Sequence, residues 1–195
     1  MTADTTTPAP TATATPAAYV ANQNARAFLA LRRSASSSAG WLARLACWLI
    51  RVRLASVWCH GGVVVDGTLL HATATHGLCR VLGDAWEPHK WDLFALPDSS
   101  ADAIVQRYRD AYPAQYDWFS LLAFVLPGRW RDASRLYCFE WCSLALTGTR
   151  PAGRVTPDML LAMVQALHVA AGTVAPPPPP TPAPTPPQTP PEPAP

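Results

Sequence analysis

Cys138 and the imidazoles at His60 and His71 are the side chains most capable of chemistry: a thiol that can become a nucleophilic thiolate, and two groups that titrate near neutral pH. Cys138 stands near the start of the apolar stretch LYCFEWCSLALT, Leu136–Thr147, where Tyr137, Trp141, Leu144 and Ala145 recur at helical spacing. Pro127 and Gly128 close the preceding segment, Asp132 or Ser134 is the predicted N-cap, and Gly148 followed by Pro151 is the predicted stop. Cys138 then falls in the first helical turn, where unpaired backbone N–H groups and the helix dipole favour a thiolate. Cys142 lies one turn further in on the same face and reads as a small buried hydrophobe.

The two histidines belong to a hairpin. Asp66-Gly67 separates SVWCHGGVVV (Ser56–Val65) from TLLHAT (Thr68–Thr73), and Asp-Gly between β-branched and apolar runs is a strong hairpin signal. With Asp66 and Gly67 as the two loop residues, Val65 pairs with Thr68 and Gly62 falls opposite His71. Side chains alternate along a strand, so His60 shares the face of Gly62 and is the diagonal neighbour of His71, about 7–8 Å away in backbone terms. Two imidazoles on one face, with a glycine clearing the space between them, are unusual for a plain core.

The elements that must position these groups follow in order. A short helix is expected over Asn22–Arg33, then a Ser-rich connection, Ser34–Ser38, and a helix over Trp41–Leu54. After the hairpin come strands at Gly77–Gly83 and Trp91–Leu96, helices at Ala101–Tyr112 and Tyr116–Leu126, the Cys138 helix, and a last helix over Thr156–Ala170. Helices, then a small antiparallel sheet, then helices define an α+β class. The boundaries are a Thr/Ala/Pro-rich N-terminus (1–21), a folded domain (22–172) and a Pro-rich tail (173–195). Neither end has the composition to bury a core.

Composition limits the partners. A net charge of +2, with Lys90 the only lysine, does not suggest nucleic acid. The five cysteines, an odd number in a chain of this size, suggest reduced thiols, not a disulfide framework. No secretory signal is visible, so a cytoplasmic or virion-associated protein is expected. Trp41–Leu54 is too short to span a bilayer; a core-facing helix is expected, with a membrane surface as the alternative. No cofactor is called for. Zinc is disfavoured because there is no CxxC pair and Cys59-His60 point to opposite faces of a strand. His76, His89 and His168 are expected at the surface, and Asp117 as a charge at a helix N-terminus.

Taken together, CHGGVVVDGTLLHA, YDWFSLLAF and LYCFEW resemble, in order and spacing, the circularly permuted papain-like cysteine hydrolases. These are the NlpC-type amidases and the lecithin–retinol acyltransferase-like enzymes, with the Tyr116–Trp118 motif resembling phage and prophage members. The resemblance runs from about Arg44 to about Leu161. It implies a permuted papain-like fold with His60 as base, His71 as the orienting residue and Cys138 as nucleophile. Two departures stand out: Phe139 where a serine usually follows the cysteine, and Cys59 where a serine usually precedes the histidine. The first leaves Cys142-Ser143 as the alternative working pair. The expected function is a cysteine hydrolase acting on a peptide or cell-wall peptide bond. The rivals are a lipid acyltransferase or thioesterase, and a non-catalytic virion or structural protein whose Pro-rich tail binds a partner groove.

Overall fold

The computed structural model describes residues 25–35, 40–117 and 134–172. Both termini and most of the Tyr116–Leu126 helix expected from sequence lie outside them. The fold is α+β. Its centre is a five-stranded antiparallel sheet made of β1 (Ala27–Arg32), β2 (His60–Val65), β3 (Thr68–Thr73), β4 (Gly77–Val81) and β5 (Trp91–Ala95). The order across the sheet is β4-β3-β2-β1-β5. The helices are α1 (Trp41–Leu54), α2 (Ala101–Ala111), α3 (Cys138–Thr147) and α4 (Pro157–Ala170). A two-residue parallel pair, β6 (Gln115–Tyr116) with β7 (Arg135–Leu136), leads into α3.

The helix expected over Asn22–Arg33 is replaced by β1, an interior strand of the sheet. Its run AFLALR pairs with β2 on one side and with β5 on the other. A short apolar run buried on both faces lacks the polar alternation that identifies a half-buried strand, so its periodicity does not separate strand from helix. Tyr116 likewise starts no helix, because it pairs with Leu136 in the parallel ladder. The hairpin follows the expected register, with Val65 opposite Thr68 and Gly62 opposite His71.

The sheet's two faces carry different chemistry. Ala27, Leu29, Leu31, Val63, Val65, Leu70, Ala72, Leu78 and Phe94 join α3, α4 and α2 in the main core. On the other face, Ala30, Val64, Leu69, Trp86 and Trp91 form a second, smaller cluster. β2 divides between them, with Gly61 toward α3 and His60 and Gly62 toward the second cluster. Gly61 lets α3 approach: a Cβ there would stand 2.9 Å from Phe139 Cδ1 and 3.1 Å from Cys142 Sγ.

Cys47 on α1 and Cys59, just before β2, are joined by a disulfide. The expectation of uniformly reduced cysteines is therefore corrected, and Cys79, Cys138 and Cys142 remain as thiols. α1 also departs from the expected core-facing helix, since only Cys47 and Ile50 of its fourteen residues are buried.

Candidate active site

α3 begins at Cys138. Tyr137 occupies the N-cap position, and its backbone N–H donates to Glu140 Oε2 at 3.5 Å. The cap is therefore neither Ser134 nor Asp132; Ser134 lies in the turn before β7, and Asp132 is outside the described residues. Glu140 is buried and ion-paired with Arg150 at 3.5 Å. The Tyr137 hydroxyl accepts from Val155 N–H at 2.9 Å, and the Trp141 indole donates to the Leu70 carbonyl at 2.9 Å. These bonds fix the helix start against β3 and the segment before α4. At the other end, Arg107 donates to the carbonyls of Ala145 and Leu146, compensating the groups that a helix C-terminus leaves unpaired.

The thiol of Cys138 meets the sheet where β2 and β3 separate. Their pairing ends at Gly62 opposite His71, one pair short of Gly61 opposite Ala72. In this register the odd-numbered residues of β2 direct their N–H groups toward β3. The Gly61 N–H is one of the groups that favour a thiolate at Cys138, with the backbone N–H groups of Phe139 and Cys138 and the phenol of Tyr116. Burial outweighs them: Cys138 is 2 % exposed, and desolvation pushes its thiol up to about 11. Desolvation, and then the neighbouring Cys138, also raise Cys142 well above an ordinary thiol.

His60, the residue before Gly61, turns its ring to the other side of β2. Its Nε2 lies 3.1 Å from His71 Nδ1, so one ring donates and the other accepts. The ring of Trp91 packs against both imidazoles, with centroids 5.5 Å from His60 and 6.3 Å from His71, and the Arg32 guanidinium lies over Trp91 at 5.5 Å. Desolvation, then the neighbouring cations, lower His60 to about 3 and His71 to about 4. Both rings are therefore neutral at neutral pH, and His60 can accept a proton.

Lowered imidazole values make the fold acid-sensitive. Below the ordinary value of 6.5 the unfolded chain binds protons that the folded pair does not, so stability falls as pH falls. The contribution is complete above 6.5 and is lost progressively toward 4 and then 3. Urea midpoints measured across this range should decline for the native chain. The decline between pH 6.5 and the carboxylate range should be much shallower in a His60→Asn/His71→Asn variant, because the contributions of Asp66 and Glu87, whose values are lowered from 3.8 and 4.5, are lost only below those ordinary values.

Two of the three residues singled out from sequence, His60 and His71, are thus in direct contact. The third, Cys138, touches the backbone next to His60 and bonds to neither imidazole in this conformation. No family model matches this chain, and no curated protein or solved structure matches it. The site is therefore read from its own geometry. That geometry adds three residues not assigned from sequence: Tyr116 on the thiol, and Arg32 and Trp91 around the histidine pair. Tyr116 was visible only as the first letter of the YDW motif. Arg32 and Trp91 carried no local signal, since β1 and β5 bring them in from distant parts of the chain.

Asp117 is buried and donates its backbone N–H to the Leu136 carbonyl at 3.2 Å, so it belongs to the β6–β7 junction. His76 and His89 are exposed. His168 departs from the surface position expected of it: it is half-buried, with Nε2 2.9 Å from the Ala95 carbonyl, and links α4 to β5.

Proposed function

We propose that this chain is a cysteine hydrolase of the permuted papain-like, NlpC-type fold. It would cleave an amide bond, in a peptide or cell-wall peptide, through a thioester on Cys138. The observation that carries this reading is the meeting of the sulfur with the Gly61 N–H directly beside His60, whose Nε2 is already engaged by His71. That engagement leaves Nδ1 as the His60 nitrogen not shared with His71. Because the ring lies across β2 from the sulfur, proton transfer requires the His60 side chain, at the first residue of the strand, to swing toward Cys138.

The chemistry then follows in balanced steps. His60 Nδ1 removes the thiol proton as sulfur attacks the carbonyl, and a carbon–sulfur bond forms. The same proton passes from His60 to the departing amine as the carbon–nitrogen bond breaks. Water, deprotonated by His60, then releases the acid and restores the thiol. The N–H groups of Gly61, Cys138 and Phe139 are the donors available to the developing oxyanion. With the thiol raised and the imidazole lowered, the resting pair is neutral, so proton transfer accompanies attack instead of preceding it.

Acyl transfer to or from a lipid, in the manner of lecithin–retinol acyltransferase-like enzymes, is the second reading. It is favoured by the exposed apolar face of α1. The Cys47–Cys59 bond argues for an oxidising working environment, a virion surface included, over the reducing cytoplasm. The Pro-rich tail, with its polyproline-II composition, suits the aromatic-lined groove of a protein partner.

Trapping the intermediate tests the proposal. Brief incubation with p-nitrophenyl acetate, acid quench and intact-mass measurement should show one acetyl group on Cys138, removable by hydroxylamine and absent from Cys138→Ala. Acylation at Cys79 or Cys142 instead, or spread evenly among the three thiols, would overturn the assignment.

A further inference from the structure

The outward side of α1 is the largest apolar feature that the fold leaves uncovered among the described residues. Trp41 is 71 % exposed, Trp48 57 % and Val52 61 %, and Leu42 and Leu45 are exposed as well. At about 100° per residue, Trp41, Leu45, Trp48 and Val52 fall within roughly 60° of arc on one stripe. The inner side, Cys47 and Ile50, faces the core. Arg44 and Arg51 border the stripe on one flank and Arg53 on the other, and the helix contains no acidic residue.

From this arrangement we infer that α1 is a docking surface for an anionic lipid bilayer. The helix would lie in the plane of the interface. Tryptophan and aliphatic side chains enter the acyl boundary while arginines on both flanks reach the headgroup phosphates, which is the distribution an interfacial helix requires. Charge selects this occupant over a second copy of the chain. Two such helices packed stripe to stripe would bring Arg51 and Arg53 of each against those of the other, with no carboxylate on either helix to offset them. An anionic bilayer supplies that missing charge. The disulfide from Cys47 to Cys59 ties the helix to the residue preceding His60, so a docked α1 would hold the candidate site at a fixed orientation to the lipid.

The docking surface depends on no catalytic role for Cys138, and its test can be run independently. The full chain is incubated with vesicles of phosphatidylcholine alone, or with a third of the lipid replaced by phosphatidylglycerol, and bound protein is measured by sedimentation. Binding is expected to the anionic vesicles, weakening with salt and remaining unchanged in Cys138→Ala. Arg51→Gln/Arg53→Gln should weaken it about 25-fold, at about fivefold per arginine. Trp41→Ser/Trp48→Ser should weaken it by at least about tenfold. Both pairs of substitutions are at exposed positions, so unfolding midpoints close to the native value should accompany these losses. No binding to either vesicle, or binding indifferent to both double variants, would overturn the inference. So would a dimer in sedimentation velocity that the tryptophan variant converts to a monomer, since the second copy would then be the occupant.

Discussion

Cys138→Ala is expected to abolish turnover of acyl substrates, and His60→Ala to lower kcat by about 10²–10⁴-fold, the range that a positioned general base contributes. The large His60 effect follows from the protonation states of the resting site. Because burial holds the thiol near 11 and the imidazole near 3, no thiolate–imidazolium pair is stored in the resting protein. Attack depends on a base being present at the moment of reaction. Alkylation of Cys138 by iodoacetamide should accordingly rise with pH toward 11, without the plateau near neutrality that a preformed ion pair would give. On the proposed mechanism His71 acts through His60, as a positioning residue. His71→Ala should cost less than His60→Ala, and His71→Asn, which keeps a hydrogen-bonding group beside His60 Nε2, should recover part of the loss. Kinetics of p-nitrophenyl ester hydrolysis by the four variants, with alkylation rates measured in parallel, checks the set. Equal activity in His60→Ala and the native chain would leave the histidine pair without a role in catalysis.

Those residues were legible in the sequence for local reasons. Asp66-Gly67 fixes a two-residue loop, the loop fixes the register, and the register places His60 beside His71 with no other information. The Trp41–Leu54 helix was equally local, as was the stop of the Cys138 helix at Gly148, whose φ of +77° is easily adopted by glycine. What escaped depends on pairing between distant segments. β1 became a strand because β2 and β5 flank it, and nothing within AFLALR announces two neighbours. Arg32 and Trp91 then arrive at the histidine pair as a consequence of that pairing. The disulfide escaped for a different reason. Five cysteines without a spacing motif give no connectivity, and Cys47 reads as one more apolar residue of a helix.

Cys47→Ser/Cys59→Ser is expected to lower stability by about 3 kcal/mol, the loop-closure value for a bridge between residues 12 apart, measured as a shift in the urea midpoint. Reductant should shift the native chain by a similar amount and leave the double variant unmoved. The loss should not be spread evenly. Apart from the bridge, α1 is held to the core by Ile50 and by the partly buried Leu54, whereas α3 is fixed by the Trp141 and Tyr137 hydrogen bonds and by close packing on Gly61. Breaking the bridge therefore frees α1 first, and with it the segment that leads into His60. Hydrogen exchange should increase over residues 41–60 and stay slow across α3. If α1 docks on lipid, vesicle binding should survive reduction, because its tryptophans and arginines are untouched, while hydrolysis falls through the loosened His60. Reduction would then separate the two surfaces that the disulfide couples, and equal loss of both would mean that α1 needs the bridge to remain helical.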